Sequence, residues 1–191
     1  LDLREHAEGS LGIRSALHVE PLTEAGAALA PDPIRPETVW SCMQCMACVE
    51  ICPVGIEHVP IINNLRRRLV DTGEMDAQLQ TTLETIYESG NSFGEPKRKR
   101  GRWAKDLDFD VKDARKERTE ILWFVGDYAS FDPRNQRISQ ALARVLRLAR
   151  VDFGILYDGE RTAGNDVRRA GEEGLWSSLA EENVATLSGC R

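Results

Sequence analysis

The sequence predicts an α+β chain in which a cysteine-bearing helical segment precedes a small parallel α/β unit. Three observations carry this expectation. Apolar residues recur at helical spacing between Ile61 and Tyr87. Continuous apolar runs at Ile121–Val125 and Val151–Leu156 are each followed by a helical stripe. A densely charged stretch separates the two regimes. With 191 residues, the chain is long enough for one ordinary domain or two small ones. Its 41% apolar and 29% charged residues are a globular composition. The net charge of −6 argues against a partner that is tracked by its phosphates, so no nucleic acid is expected. No run approaches the ~18 apolar residues of a membrane-spanning helix, so no transmembrane segment of its own is expected.

Residues 1–35 read as a connecting segment. It opens on a weak helical start, Leu1 to His6, and its prolines Pro21, Pro31 and Pro33 deny it long helices. Residues 36–94 read as a helical domain, entered at Pro36-Glu37 with proline in the first turn. Ile61, Leu65 and Leu69 predict one amphipathic helix whose Arg66, Arg67 and Arg68 face outward. Met75, Leu79, Leu83 and Ile86 predict a second, ended by Gly90-Asn91-Ser92-Phe93-Gly94. Residues 95–118, with Lys97 to Arg100 and Lys112 to Arg118, read as a charged linker or surface loop, or a docking patch for an acidic partner. Residues 119–191 read as strand, helix, strand and helix. Asp132-Pro133 starts the first helix, whose predicted inner side is Ile138, Leu142, Val145, Leu146 and Ala149. Val167, Ala170, Gly171, Leu175 and Leu179 mark the second helix. Two strands are thin for a stable sheet, so a third is expected beyond Arg191. The first residue, Leu1, and the abrupt end at Cys190-Arg191 add to the expectation of a fragment of a longer chain.

Four of the five cysteines fall between Cys42 and Cys52, in the pattern C-x2-C-x2-C-x3-C-P that ends at Pro53. This is the bacterial ferredoxin spacing for a [4Fe–4S] cluster. Three thiolates spaced by three residues each reach a different iron of one cubane. Pro53 turns the Cys52 side chain away from the first three. A zinc site would more naturally use two ligand pairs separated by a longer loop. In two-cluster ferredoxins the fourth cysteine of one run ligates the other cluster. Cys42, Cys45 and Cys48 are therefore the predicted ligands of one cluster, and Cys52 that of a second. Cys190 is the remaining candidate for a remote ligand, against the simpler expectation of a further cysteine run upstream of Leu1.

The segment from Ser41 to His58 resembles the second cluster motif of heterodisulfide-reductase-like iron–sulfur oxidoreductases. That group includes the iron–sulfur subunits of anaerobic glycerol-3-phosphate dehydrogenase and glycolate oxidase, and proteins linking electron-transfer flavoprotein to quinone. Asp2–His6, Gly90–Gly94, Ser130-Phe-Asp-Pro-Arg134 and Gly164-Asn-Asp-Val-Arg-Arg169 continue the match over nearly the whole chain. The resemblance implies a helical ferredoxin-type [4Fe–4S] domain followed by half of a "CCG" domain. It also exposes two departures. Asp127 stands where relatives commonly have cysteine, and Thr162-Ala163 lack the cysteine common nearby. Asp127 is then either an oxygen ligand or a loop residue after a strand, and heterodisulfide chemistry is not supported by these residues.

The predicted function is an iron–sulfur electron-transfer subunit of a larger oxidoreductase complex. It would take single electrons from a flavoprotein or hydrogenase toward quinone or another acceptor, with a membrane quinone-reducing subunit as a further partner. The expected location is cytoplasmic, or peripheral at the cytoplasmic face of the membrane. No catalytic residues are predicted within the chain, which reads as part of an oxidoreductase rather than a self-contained catalyst. Two alternatives stand beside it: a dehydrogenase or heterodisulfide-reductase-like subunit with a catalytic cluster elsewhere, and a non-redox structural metal module. Met43, Met46, Trp40 and Ile51 are expected to keep water from the cluster or to pack as core. Glu57 and His58 are candidates for coupling redox to protonation, or simple helix-start residues.

Overall fold

The computed structural model describes residues 34–190. The segment read as connecting therefore lies almost wholly outside the described residues, including Leu1–His6. The described chain divides into two compact units. One holds residues 34–76 and Arg168–Glu172; the other holds Ala77–Val167 and residues 173–190.

The first unit is helical. Helix α1 (Pro36–Trp40) starts on the proline that presets its first turn. A short α2 (Ala47–Glu50) and a long α3 (His58–Asp71) follow. Ile34, Val39 and Leu69 form the core, with Trp40, Ile62 and Leu65 packed against it. The inner stripe of α3 therefore runs through Ile62, Leu65 and Leu69, and Ile61 is half-exposed. This small rotation from the expected face turns Arg66 inward. Arg66 is only 7% exposed, so it does not face outward as its sequence neighbours suggested.

The second unit has α4 (Ala77–Ser89), β1 (Lys112–Asp113), β2 (Ile121–Leu122), α5 (Asp127–Phe131) and α6 (Pro133–Leu148). It continues with β3 (Phe153–Ile155), α7 (Asn165–Ala170), the last residues of which return to the first unit, and α8 (Glu173–Ser188). Helix α4 thus groups with this unit rather than with the cysteine-bearing helices. The sheet is parallel, in the order β1-β3-β2, with Lys112 opposite Gly154 and Ile121 opposite Phe153. Gly154 admits no side chain: a Cβ there would lie 2.7 Å from Thr119 Cγ2 and 3.0 Å from the Lys112 carbonyl.

The third strand comes from the segment read as a charged linker. That segment is built into the core. Trp103 is 1% exposed, and Ala104, Val111 and Ala114 are buried. Trp103 meets Trp123 with ring centroids 5.3 Å apart, and Phe153, Ile155 and Ala143 complete the cluster. Two 3-10 turns, Lys97–Lys99 and Arg102–Asp106, lead through this region, and the second carries Trp103 and Ala104. A 3-10 turn has no sustained amphipathic period, so the charges hid the core positions.

Asp132 caps α6 by accepting from the N–H groups of Arg134 and Asn135, as its sequence predicted. The face it buries differs from the expected one. Ser139 and Ala143 are buried and Leu146 packs on the core, whereas Ile138 and Val145 are 64% and 59% exposed. The expected single helix over 167–179 is two helices, because Gly171 takes φ +99° and interrupts it.

On β1, Asp113 accepts bonds from Arg115 Nε and Nη2, each at 2.8 Å. The Arg115 hydrogen bonds hold its carboxyl below the usual carboxylate range. A depressed folded-state value contributes stability above the unfolded pKa that is lost as pH falls through the folded one. Asp113→Asn is therefore expected to be less stable than wild type at pH 7. Urea unfolding at a series of pH values should show the gap closing as pH falls below about 3.9, the ordinary aspartate value.

Candidate metal centre

The cysteine loop runs from the end of α1 to the start of α3. The Ser41 hydroxyl donates to the Glu37 carbonyl at 2.6 Å and closes α1. Gln44 and Met46 then adopt left-handed backbone, with φ 55° and 67°. Left-handed conformations are costly for residues with side chains, so the surroundings must hold them. Gln44 stands between Cys42 and Cys45, and Met46 between Cys45 and Cys48. Cys48 lies in α2, and Cys52 follows it before Pro53. Cys45 and Cys48 are exposed, and Cys42 and Cys52 are half-buried.

Two thiols already receive backbone support. The Gln44 N–H donates to Cys42 Sγ at 3.3 Å, and the Ile56 N–H donates to Cys52 Sγ at 3.3 Å. The N–H groups of Ile56, Val54 and Gly55 lower the Cys52 pKa, which favours its thiolate. Among the described residues, no three potential ligands lie close enough together to hold a metal ion. The donor set nevertheless fits an iron–sulfur cluster in kind. It offers four free thiols in ferredoxin spacing, two of them with N–H groups aimed at sulfur.

Behind the loop sits the buried Arg66. Its Nη2 donates to the carbonyls of Cys42 at 2.5 Å and Val39 at 3.2 Å, and its Nη1 donates to that of Arg169 at 2.9 Å. The guanidinium also lies over the Trp40 ring, 5.3 Å from its centroid. Burial lowers its pKa, and the negative form of Cys42 opposes that shift. Arg169 grips the other side of the loop. Its Nε donates to Gln44 Oε1 at 2.8 Å and its Nη2 to the Met43 carbonyl at 2.9 Å. The Gln44 side-chain amide in turn donates to Asn63 Oδ1. Gly171 makes this grip sterically feasible, since a Cβ there would stand 2.7 Å from the α3 backbone at Arg66 and Arg67. None of Gln44, Arg66, Arg169 or Gly171 stood out as a site residue in the sequence. The one available signal was the Gly164–Arg169 segment, which carries part of the family resemblance.

Other expectations resolve differently. Met43 and Ile51 are 80% and 82% exposed and Met46 is half-exposed, so they do not shield the loop from water. Glu57 precedes α3 without capping it, and the buried His58 Nδ1 has no hydrogen-bond partner. In the second unit, the Cys190 thiol donates to the Thr186 carbonyl at 3.4 Å. Asp127 is the first residue of α5 and its carboxylate is fully engaged. Oδ1 accepts from Arg100 Nη2 at 2.7 Å, and Oδ2 accepts from the Ser92 N–H at 2.9 Å. Arg100 also donates to Glu160 at 2.9 Å, and Glu160 caps the N–H groups of Val125 and Gly126. Burial pushes the Glu160 carboxyl up, with Arg100 and the two N–H groups opposing.

Known proteins are similar to this chain in sequence. A probable membrane-anchored ferredoxin of Chromohalobacter salexigens is 43% identical over 153 residues, 80% of this chain and 22% of the relative. A probable iron–sulfur-binding oxidoreductase, FadF, of Bacillus subtilis is 39% identical over 184 residues, 93% of this chain and 25% of the relative. An EtfAB:quinone oxidoreductase of Syntrophomonas wolfei is 33% identical over 184 residues, 91% of this chain and 25% of the relative. A more distant likeness, 25% identical over 155 residues, is to a component of the dihydromethanophenazine:CoB–CoM heterodisulfide reductase of Methanosarcina barkeri. The chain is related to the heterodisulfide-reductase-like iron–sulfur oxidoreductases. It spans about a quarter of the length of the first three relatives. No protein-family model matches it, and no solved structure does. No described helix is long and apolar enough to cross a membrane.

The dependence on Gly171 is open to test. Gly171→Ala is expected to cost about 1–2 kcal/mol for the left-handed backbone alone, and more from the collision with α3. Denaturant melts should show that loss, with faster amide exchange at Gln44 as the Arg169 grip loosens.

Proposed function

We propose that this chain is an electron-relay part of a larger iron–sulfur oxidoreductase. Cys42, Cys45 and Cys48 hold one [4Fe–4S] cluster, and Cys52 contributes to a second. One observation carries the reading. The C-x2-C-x2-C-x3-C-P run lies on a loop with left-handed backbone at Gln44 and Met46, and backbone N–H groups donate to Cys42 and Cys52 Sγ. When bound, such a cluster supplies a one-electron couple. The chain's own residues do the rest. Gln44 and Ile56 hold donors toward sulfur, Arg66 and Arg169 fix the loop backbone, and exposed Cys45 and Cys48 leave an edge open to a partner. The helical unit plays the ferredoxin-type part and the sheet unit that of half a CCG domain. A flavoprotein donor and a quinone acceptor are supported by the name of the Syntrophomonas relative, and placement at a membrane surface by that of the Chromohalobacter one.

Anaerobic reconstitution of the full chain with iron and sulfide tests this reading. A broad visible absorption that bleaches with dithionite is expected. Cys45→Ala should lose most of its iron while keeping its helical circular dichroism. Zinc retained in place of iron, with no bleaching, would favour a structural metal module instead.

A further inference from the structure

The Trp40 ring and the Arg66 guanidinium lie behind the cysteine loop and the Arg169 guanidinium grips its other side, and no acid opposes them in the bonds described. Arg66 is the buried one. It makes bonds to backbone carbonyls at four positions: Val39, Trp40, Cys42 and Arg169. None of these is a carboxylate, so its positive charge is hydrogen-bonded but not neutralised by its bonding partners. A buried cation normally demands a counter-charge, because neutral carbonyls offset the cost of desolvation only in part. Among the described residues, none of its hydrogen-bond partners supplies that counter-charge. The carbonyl it approaches most closely is that of Cys42, the first thiol of the run.

We infer that Arg66 is a positioning and potential-setting residue for the cluster held by Cys42, Cys45 and Cys48. The inference rests on the ligand reading above. An iron–sulfur cluster with its thiolates is an anionic group, and reduction adds one further negative charge. A fixed cation behind the first ligand compensates that charge, and it favours the reduced form more than the oxidised one. The same guanidinium, through its bond to the Cys42 carbonyl, fixes where the first thiol sits before any metal arrives. Its charge and its fork of donors thus do separate things. Lysine at this position would keep the first and lose most of the second, since an ammonium cannot span carbonyls from α1, the loop and the Arg169 turn. Glutamine would lose the charge and retain a planar amide.

Arg66→Gln and Arg66→Lys in the full reconstituted chain separate these roles. Redox titration followed by electron paramagnetic resonance is expected to place Arg66→Gln at a more negative midpoint than wild type, with Arg66→Lys close to wild type. Transfer of iron to a chelator is expected to be on the order of tenfold faster in Arg66→Lys, as for other outer-shell partners of metal ligands. A potential in Arg66→Gln equal to that of wild type overturns the charge role. If Arg66→Gln does not fold, Arg66→Lys carries the test: iron transfer at the wild-type rate overturns the positioning role. Failure of the wild-type chain to bind any cluster overturns the ligand reading itself, and is distinguishable from both.

Discussion

A guanidinium buried among backbone carbonyls is the constraint around which the cysteine-bearing unit is organised. Arg66 bonds to carbonyls before, within and after the elements that frame the loop. Because the groups it holds are main-chain, it fixes the path of the backbone rather than the rotamer of one side chain. That path includes two left-handed residues, Gln44 and Met46, which the loop could not keep unaided. Arg169 and Asn63 secure Gln44 directly, and Gly171 lets the segment bearing Arg169 approach α3 within backbone distance. The loop is thus ordered by polar contacts to its backbone and to Gln44, while Cys45 and Cys48 stay open to solvent.

The sheet unit solves a related problem with a buried arginine that does have acidic partners. Its strands are two or three residues long, too short to be held by their ladders alone. Arg100, between Asp127 and Glu160, ties the strand–helix junction at Val125-Gly126 to the turns around Ser92 and Arg100. Removing one member of such a cluster strands a buried charge, typically at about 3–5 kcal/mol. The Trp103–Trp123–Phe153 cluster supplies the apolar complement. The oxygens of Asp127 are therefore committed to holding the junction.

Much of this was legible in the sequence, and the rest was hidden for physical reasons. The Asp132-Pro133 cap, the helices after the cysteines and the two apolar runs depend on local patterns, and each corresponds to a feature of the structure. Two of the described segments that carry the family resemblance, Gly90–Gly94 and Ser130–Arg134, make a turn and a helix cap. Asn91 accepts from the N–H groups of Phe93 and Glu95, and Asp132 caps α6. What escaped was long-range. Nothing in Arg66-Arg67-Arg68 tells which arginine is buried, because a small helical rotation decides it. Trp103 sits among charges on a 3-10 turn, and β1 is two residues long, so neither leaves a periodic trace. Gly171 looked like one more helical position, and only its approach to α3 explains the break.

A loop ordered by Arg66 and Arg169 is proposed to receive an iron–sulfur cubane on the thiols of Cys42, Cys45 and Cys48. Mössbauer spectroscopy of the full chain reconstituted with iron-57 tests this most directly. Quadrupole doublets of iron in tetrahedral sites dominated by sulfur are expected, with delocalised iron pairs in the oxidised sample. A spectrum of isolated high-spin ferrous iron with oxygen or nitrogen ligands would contradict the assignment.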